Sequence, residues 1–144
     1  MVSDWGSATR RGRALGLDHG SARVGVAVSD ALRITAQPLE VVARPRAVAR
    51  IAEIVVEYEI EEIVVGLPTS LNGTEGPPAS AARAFGGEIA LATGIDVTYV
   101  DERFTTVTAE KAMLEAGAKR RVRRDNLDKV AAAIILQAFL DQPL

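Results

Sequence analysis

Bulky and small residues alternate along residues 13–30. Leu15 and Leu17 are interleaved with Ala14, Gly16 and Asp18, and Val24, Val26 and Val28 with Gly25, Ala27 and Ser29. A period of two is that of a strand with one bulky face. Between the two runs lies Asp18-His-Gly-Ser-Ala-Arg23, a turn-forming stretch built on Gly20. Two strands joined by a small loop are predicted, with Asp18 at the end of the first. Residues 33–42 predict one edge strand broken near Pro38, which has no amide hydrogen for a ladder. Val48, Ile51, Ala52 and Val55 recur at helical spacing and predict an amphipathic helix over 46–58. Ile63-Val-Val-Gly-Leu67 is continuously apolar, as in a strand buried on both faces, and Pro68 ends it. Thr69 to Pro78, with Asn72-Gly73, Gly76 and two prolines, predicts a loop. An alanine-rich helix over 79–92 stops at Gly94, and a strand over 96–100 ends at Asp101-Glu102. A helix from Thr106 to Ala116 closed by Gly117, a basic loop over 119–124 and a last helix over 126–140 complete the chain.

Three strands followed by alternating helix and strand give an α/β fold. Its five-stranded sheet is mixed, an antiparallel meander and then parallel strands, flanked by helices. The chain's 144 residues, nearly half of them apolar, suit a single domain over 13–144. Residues 1–12 are small and polar with Arg10 and Arg11 near the end, and read as a flexible extension without the apolar core of a signal peptide. No apolar run approaches membrane-spanning length. The absence of cysteine excludes disulfides and thiolate metal sites and fits a reducing cytoplasm. One histidine makes a His-rich zinc site a poor fit and leaves hard, oxygen-ligated ions such as Mg²⁺ or Mn²⁺.

The acids then change the picture. Asp18 and the pair Asp101-Glu102 end two strands whose carboxyl ends share one sheet edge, where open α/β sheets place their sites. Asp128 is in line with Ala132, Ile135 and Phe139, on the apolar face of the last helix and pointing towards the sheet. Asp125 shares that face if the helix begins early. Taken singly, each acid has an ordinary explanation at a turn or helix start. Together they would repel one another, and two divalent cations roughly 3.5–4 Å apart would offset the repulsion and make a phosphodiester-cleaving centre.

These residues carry a resemblance. Gly16-Leu-Asp-His-Gly-Ser-Ala-Arg-Val-Gly-Val-Ala-Val-Ser-Asp30, Val65-Gly-Leu-Pro68 with Asn72-Gly73 and Gly76, Asp101-Glu-Arg-Phe-Thr-Thr106, and Asp128-Lys-Val-Ala-Ala-Ala-Ile-Ile-Leu136 resemble the YqgF family, also called RuvX, across about residues 13–141. The resemblance implies an RNase H-like fold related to the RuvC resolvases. It implies a nuclease acting in maturation of the 5′ end of 16S ribosomal RNA, or on branched DNA, with Asp18, Glu102 and Asp128 as its metal-binding catalytic acids. Many relatives in the wider superfamily carry an acid near the end of the fourth strand, where this chain has Gly66-Leu67. The second acid must then be Glu102. His19 has no fixed chemistry in the family and is expected to be an ordinary loop residue.

The nucleic acid would be held by charge. Five of the six residues from Lys119 to Arg124 (Lys119, Arg120, Arg121, Arg123, Arg124) are basic, while the rest of the chain has twelve basic residues against nineteen acids. The run directly precedes Asp125 and Asp128, so bound phosphates would lie beside the metals. Arg23 either binds substrate phosphate or pairs with Asp18 or Asp30. Arg103 either orients Asp101 or neutralises charge in the transition state. The Asn72-Gly73 loop precedes a helix whose free amides suit a phosphate, and is otherwise a connector. Aromatics are few, so recognition by backbone shape and charge is expected rather than base stacking. A protein of this kind acts as a monomer or a homodimer. Two other classes remain: a module that binds nucleic acid without cutting it, and an ATP-dependent phosphotransferase, which also opens with a strand, an Asp and a Gly but needs a second lobe.

Overall fold

The structure is a computed structural model that describes residues 12–105 and 120–143, and for residues 104 and 120–127 the backbone alone. The elements are β1 (Arg13–His19), β2 (Arg23–Ser29), β3 (Ala36–Ala43), a 3₁₀ turn (Arg44–Arg46), α1 (Ala47–Glu57), β4 (Ile60–Leu67), α2 (Pro77–Thr93), β5 (Val97–Asp101), a 3₁₀ turn (Glu102–Phe104) and α3 (Arg120–Leu140). They form one five-stranded sheet in the order β3-β2-β1-β4-β5. β1 and β2, and β2 and β3, pair antiparallel, while β1 and β4, and β4 and β5, pair parallel. This is the mixed sheet that the chain order predicts.

The alternation of large and small residues decides which helix covers which face. Leu15, Leu17, Val24, Val26, Ile63 and Val65 point to one side and form a core with Ile51 and Ile54 of α1 and Phe85 and Ile89 of α2. Ala14, Ala27, Val64 and Val100 point to the other side and meet Ala131, Ala132, Ile135 and Leu136 of α3. Small residues on both partners let α3 lie close to the strands. A Cβ placed on Gly16 would come 2.6 Å from Leu136 Cβ and 2.9 Å from the Ala132 carbonyl oxygen.

Several boundaries differ from the sequence expectation. β3 is one continuous edge strand, with a register shift opposite Val26 and Ala27 in place of a break at Pro38. An extra residue bulged at the edge accommodates the proline. β4 begins at Ile60, because Glu61 and Glu62 at the sheet's lower end are tolerated within the strand. Pro77 and Pro78 open α2 rather than belonging to the loop, since the first helical turn has no use for their missing amide hydrogens. The predicted basic loop is also helical from Arg120 onwards: α3 starts there rather than at residue 126. Nothing between Ala118 and Asn126 breaks a helix, and Lys and Arg favour one. Lys119, the predicted helix from Thr106 to Ala116 and Met1 to Arg11 lie outside the described residues.

Gly94 closes α2 in the left-handed region at φ 74°, as its sequence position predicts. A Cβ there meets nothing within 4 Å, so the cost of a side chain would be conformational only. Gly94→Ala is expected to lower stability by roughly 1 kcal/mol, read as a lower denaturant midpoint at unchanged slope.

Candidate active site

The carboxyl ends of β1, β4 and β5 and the start of β2 form one sheet edge. Asp18 lies on the α3 side of β1 and is only 5% exposed. Its cross-strand partner on β2 is Gly25. On the other flank Leu17 pairs with Val65, so one residue further along Asp18 stands beside Gly66 of β4. Both neighbours of the buried carboxylate are therefore bare of side chains, and other groups use the space. Over Gly66 comes Glu102: a Cβ at that glycine would sit 2.9 Å from Glu102 Oε2 and 2.4 Å from Ile135 Cδ1. Over Gly25 comes the backbone of Asp128, whose carbonyl oxygen would be 2.0 Å from a Cβ. The Glu102 carboxylate, Asp18 and the Asp128 backbone thus lie over three neighbouring strands, which run ~4.8 Å apart. The position left empty on β4 is overhung by the carboxylate of the outer strand's turn.

All of these donors are hard carboxylate oxygens, the set that suits Mg²⁺ or Mn²⁺. The two glycines beside Asp18 let Glu102 and the Asp128 backbone come close to it. The described residues do not already converge as a group of three ligands. Asp128 is turned onto Arg23, whose Nε donates to Asp128 Oδ2. A guanidinium is here the counter-charge for one acid of the row. Arg23 thus pairs with Asp128, a carboxylate its neighbourhood in the sequence does not point to. The backbone of Asp125 falls inside α3, three residues before Asp128.

Asp101 is placed differently. Val100 packs beneath α3, so the next residue of the strand points to the opposite side. There Asp101 Oδ1 accepts from Thr69 Oγ1 at 2.7 Å and from the Arg103 amide at 2.9 Å. Its Oδ2 accepts from Arg103 Nε at 3.0 Å and Nη2 at 2.7 Å. The Arg103 guanidinium holds this carboxyl well below the usual carboxylate range, with Thr69 and the Arg103 amide acting in the same direction. Arg103 also donates from Nη1 to the Leu71 carbonyl at 3.2 Å. Of its two expected roles, the contacts are those of a partner to Asp101. The Asn72-Gly73 loop is closed on itself: Asn72 Oδ1 accepts from the Thr74 amide, and Gly73 takes φ 86°.

His19 ends β1 rather than sitting in a loop. Its Nε2 accepts from Arg44 Nε at 3.1 Å, and its ring lies 4.9 Å from that of Phe85. Burial, and then the Arg44 charge, push its pKa down, so it is a neutral acceptor on the face away from the acid row. Of the basic run, Arg120, Arg121, Arg123 and Arg124 lie in the first turns of α3, directly ahead of Asp128.

The family model for RuvX, described as Holliday junction resolvase, matches residues 12–142. The chain belongs to the RuvX family. Among its relatives is a protein of Agathobacter rectalis, 47% identical over 135 residues, covering 90% of this chain and 94% of the relative. Another, from Clostridium beijerinckii, is 50% identical over 132 residues, covering 90% and 96%. Both carry the name of a candidate pre-16S rRNA nuclease. The Thermus thermophilus RuvC structure in complex with a Holliday junction matches with a TM-score of 0.57 at 19% identity over 90% of this chain and 94% of that one. At that identity the likeness concerns the fold, which is the RNase H-like one implied by the sequence motifs.

Two residues of this RuvX chain went unremarked as parts of the site. Gly25 is where α3 touches the sheet, and Thr69 ties the end of β4 to Asp101. The signal for Gly25 was present in the strict alternation of valines with Gly25, Ala27 and Ser29. No local pattern marks Thr69, whose partner is far away in the chain.

Proposed function

We propose that this chain is a divalent-metal-dependent nuclease that hydrolyses phosphodiester bonds of structured nucleic acid, in processing of the 5′ end of pre-16S rRNA in the cytoplasm. The observation that carries the reading is the row Glu102, Asp18, Asp128 beside two bare glycines, in a chain about half identical to relatives named for that reaction. Asp18, Glu102 and Asp128 would hold Mg²⁺ or Mn²⁺, in two sites, with Asp125 within one turn of Asp128 on the same helix. Bound ions would supply Lewis acidity at the scissile phosphate and favour ionisation of the attacking water. The protein's own part is to fix the acids. Asp18 is anchored by pairing on both flanks of β1, Glu102 is suspended over Gly66, and Asp128 is carried by a helix packed against the sheet. Arg23 neutralises Asp128 until metal and substrate arrive, and then has a phosphate within reach of the same edge. Lys119, Arg120, Arg121, Arg123 and Arg124 contact the sugar-phosphate backbone next to the site.

A second reading, resolution of four-way DNA junctions, draws support from the family's description. Symmetric cutting of two strands would call for a homodimer. A cleavage panel separates the readings: single-stranded RNA, a precursor-rRNA fragment and a four-way junction, each with Mg²⁺, Mn²⁺ or EDTA. Cutting of the precursor fragment with metal, and none in EDTA, is the expected result. Preferential cutting of the junction favours the resolvase, and binding without cutting of any substrate favours a non-catalytic module.

A further inference from the structure

Asp101 and Arg103 are adjacent to a proposed metal ligand, yet neither side chain is turned to the acid row. We propose that Asp101, with Arg103 and Thr69, forms a clamp that positions Glu102, and that Asp101 is not itself a metal ligand; this rests on the nuclease reading above. Three observations lead there. The first is strand alternation. Asp101 pairs in register with Leu67, whose side chain belongs to the core beneath α1 and α2, while Glu102 Oε2 hangs over Gly66 on the α3 side. One strand end therefore presents a carboxylate to each face.

The second is how fully Asp101 is engaged. Its two oxygens accept four hydrogen bonds, from Thr69 Oγ1, the Arg103 amide, and Nε and Nη2 of Arg103. To reach a cation, a carboxylate tied down in this way would have to give up either the two guanidinium bonds on Oδ2 or the Thr69 and Arg103 amide bonds on Oδ1.

The third is what the clamp joins. Thr69 lies just past the end of β4, and Arg103 lies in the 3₁₀ turn that follows β5. Arg103 Nη1 extends the tie to the Leu71 carbonyl, in a loop already closed by bonds from the Ser70 amide to the Thr74 carbonyl (3.0 Å) and from the Gly73 amide to the Ser70 carbonyl (2.9 Å). Glu102 is the single residue between the two clamped positions, and its own carbonyl accepts from the Thr105 amide at 3.1 Å and Oγ1 at 2.9 Å. Its main chain is held on both sides, so its side chain rises over Gly66 from a fixed base. Groups that fix a ligand from behind commonly alter metal affinity or activity by about 10–100-fold when removed.

The test compares Asp101→Ala, Arg103→Ala, Thr69→Val and the double variant Asp101→Ala/Arg103→Ala in the full chain. Three readouts are used: Mn²⁺ affinity by calorimetry, kcat and KM on the precursor-rRNA fragment, and amide exchange of Gly73 and Thr74. Each single variant is expected to lower kcat and Mn²⁺ affinity about tenfold, with KM nearly unchanged and faster exchange in the loop. The double variant should be no worse than the more damaging single one, because both remove the same tie. Thr69→Ser, which keeps the hydroxyl, should behave as wild type. Loss of Mn²⁺ binding in Asp101→Ala alone, with Arg103→Ala and Thr69→Val normal, would make Asp101 a ligand and overturn the proposal. So would wild-type behaviour of all three. A wild-type protein that neither binds Mn²⁺ nor cuts would sink the nuclease reading instead, and the clamp would then be judged by loop exchange alone.

Discussion

Asp18→Asn is expected to lower the single-turnover cleavage rate by about 10³-fold or more, while nucleic-acid binding in EDTA stays within a few-fold of wild type. Asp18 is the middle member of the acid row and is almost completely buried. Both neighbouring strand positions are glycine, so no other carboxylate mounted on β2 or β4 beside it can take its place. Removing its charge weakens the hold on any ion bridging the row. Metal ions contribute several kcal/mol to charge stabilisation in such reactions. About 4 kcal/mol corresponds to roughly 10³ in rate. Asparagine has the shape of aspartate, and the β1 ladder is made by main-chain atoms, so the fold should persist. In the proposed reading, binding would rest on phosphate contacts by basic side chains rather than on Asp18, and should fall with salt equally in both proteins. A variant that cuts as fast as wild type in Mg²⁺ or Mn²⁺ would remove Asp18 from the site. A variant that neither cuts nor binds would mean that Asp18 supports the structure instead.

The expectation for Asp18 was legible in the chain because the pattern around it is local. Residues 13–30 alternate strictly, and a carboxylate ending an apolar strand needs a partner. The same holds for the faces of the sheet: bulky residues of β1 and β2 sort to α1 and α2, and small ones to α3. What escaped a reading of the sequence depends on distant contacts or on weak local signals. α3 begins earlier than the sequence pattern suggests, because the charge of the arginine run masks its helix propensity. Asp101 and Glu102 are neighbours with the same chemistry, and only the register of β5 against β4 separates them onto opposite faces. Proximity in the chain suggests Asp18 and Asp30 as partners of Arg23, yet one carboxylate it meets, Asp128, is 105 residues away. Ion pairing follows the fold, and the fold is set by the apolar pattern that surrounds these charges.

Gly25→Ala is expected to destabilise the protein by about 1–3 kcal/mol and to cut activity by about 10²-fold in whatever fraction remains folded. A single methyl group has this effect because of what faces it. A Cβ on Gly25 would lie 2.0 Å from the carbonyl oxygen of Asp128, 2.4 Å from its carbonyl carbon and 3.0 Å from the Lys129 nitrogen. These are main-chain atoms, so no side-chain rotation relieves the clash. Ordinary contact requires about 3.5 Å, and the helix would have to lift by roughly 1 Å or more. That displacement carries Asp128 away from Asp18, the cross-strand partner of Gly25. It also opens the seam where Ala131, Ala132 and Ile135 pack on the sheet. The control is Gly87→Ala on the exposed side of α2, where a Cβ meets nothing within 4 Å. There the same change removes only backbone freedom, and stability should rise by roughly 0.5–1 kcal/mol with activity unaltered. Thermal unfolding and cleavage measured on both variants would distinguish contact at the helix–sheet seam from a general intolerance of added methyl groups. If Gly25→Ala retained full activity, α3 would have to accommodate a shifted Asp128, and the close seating of that helix would not be what sets the site.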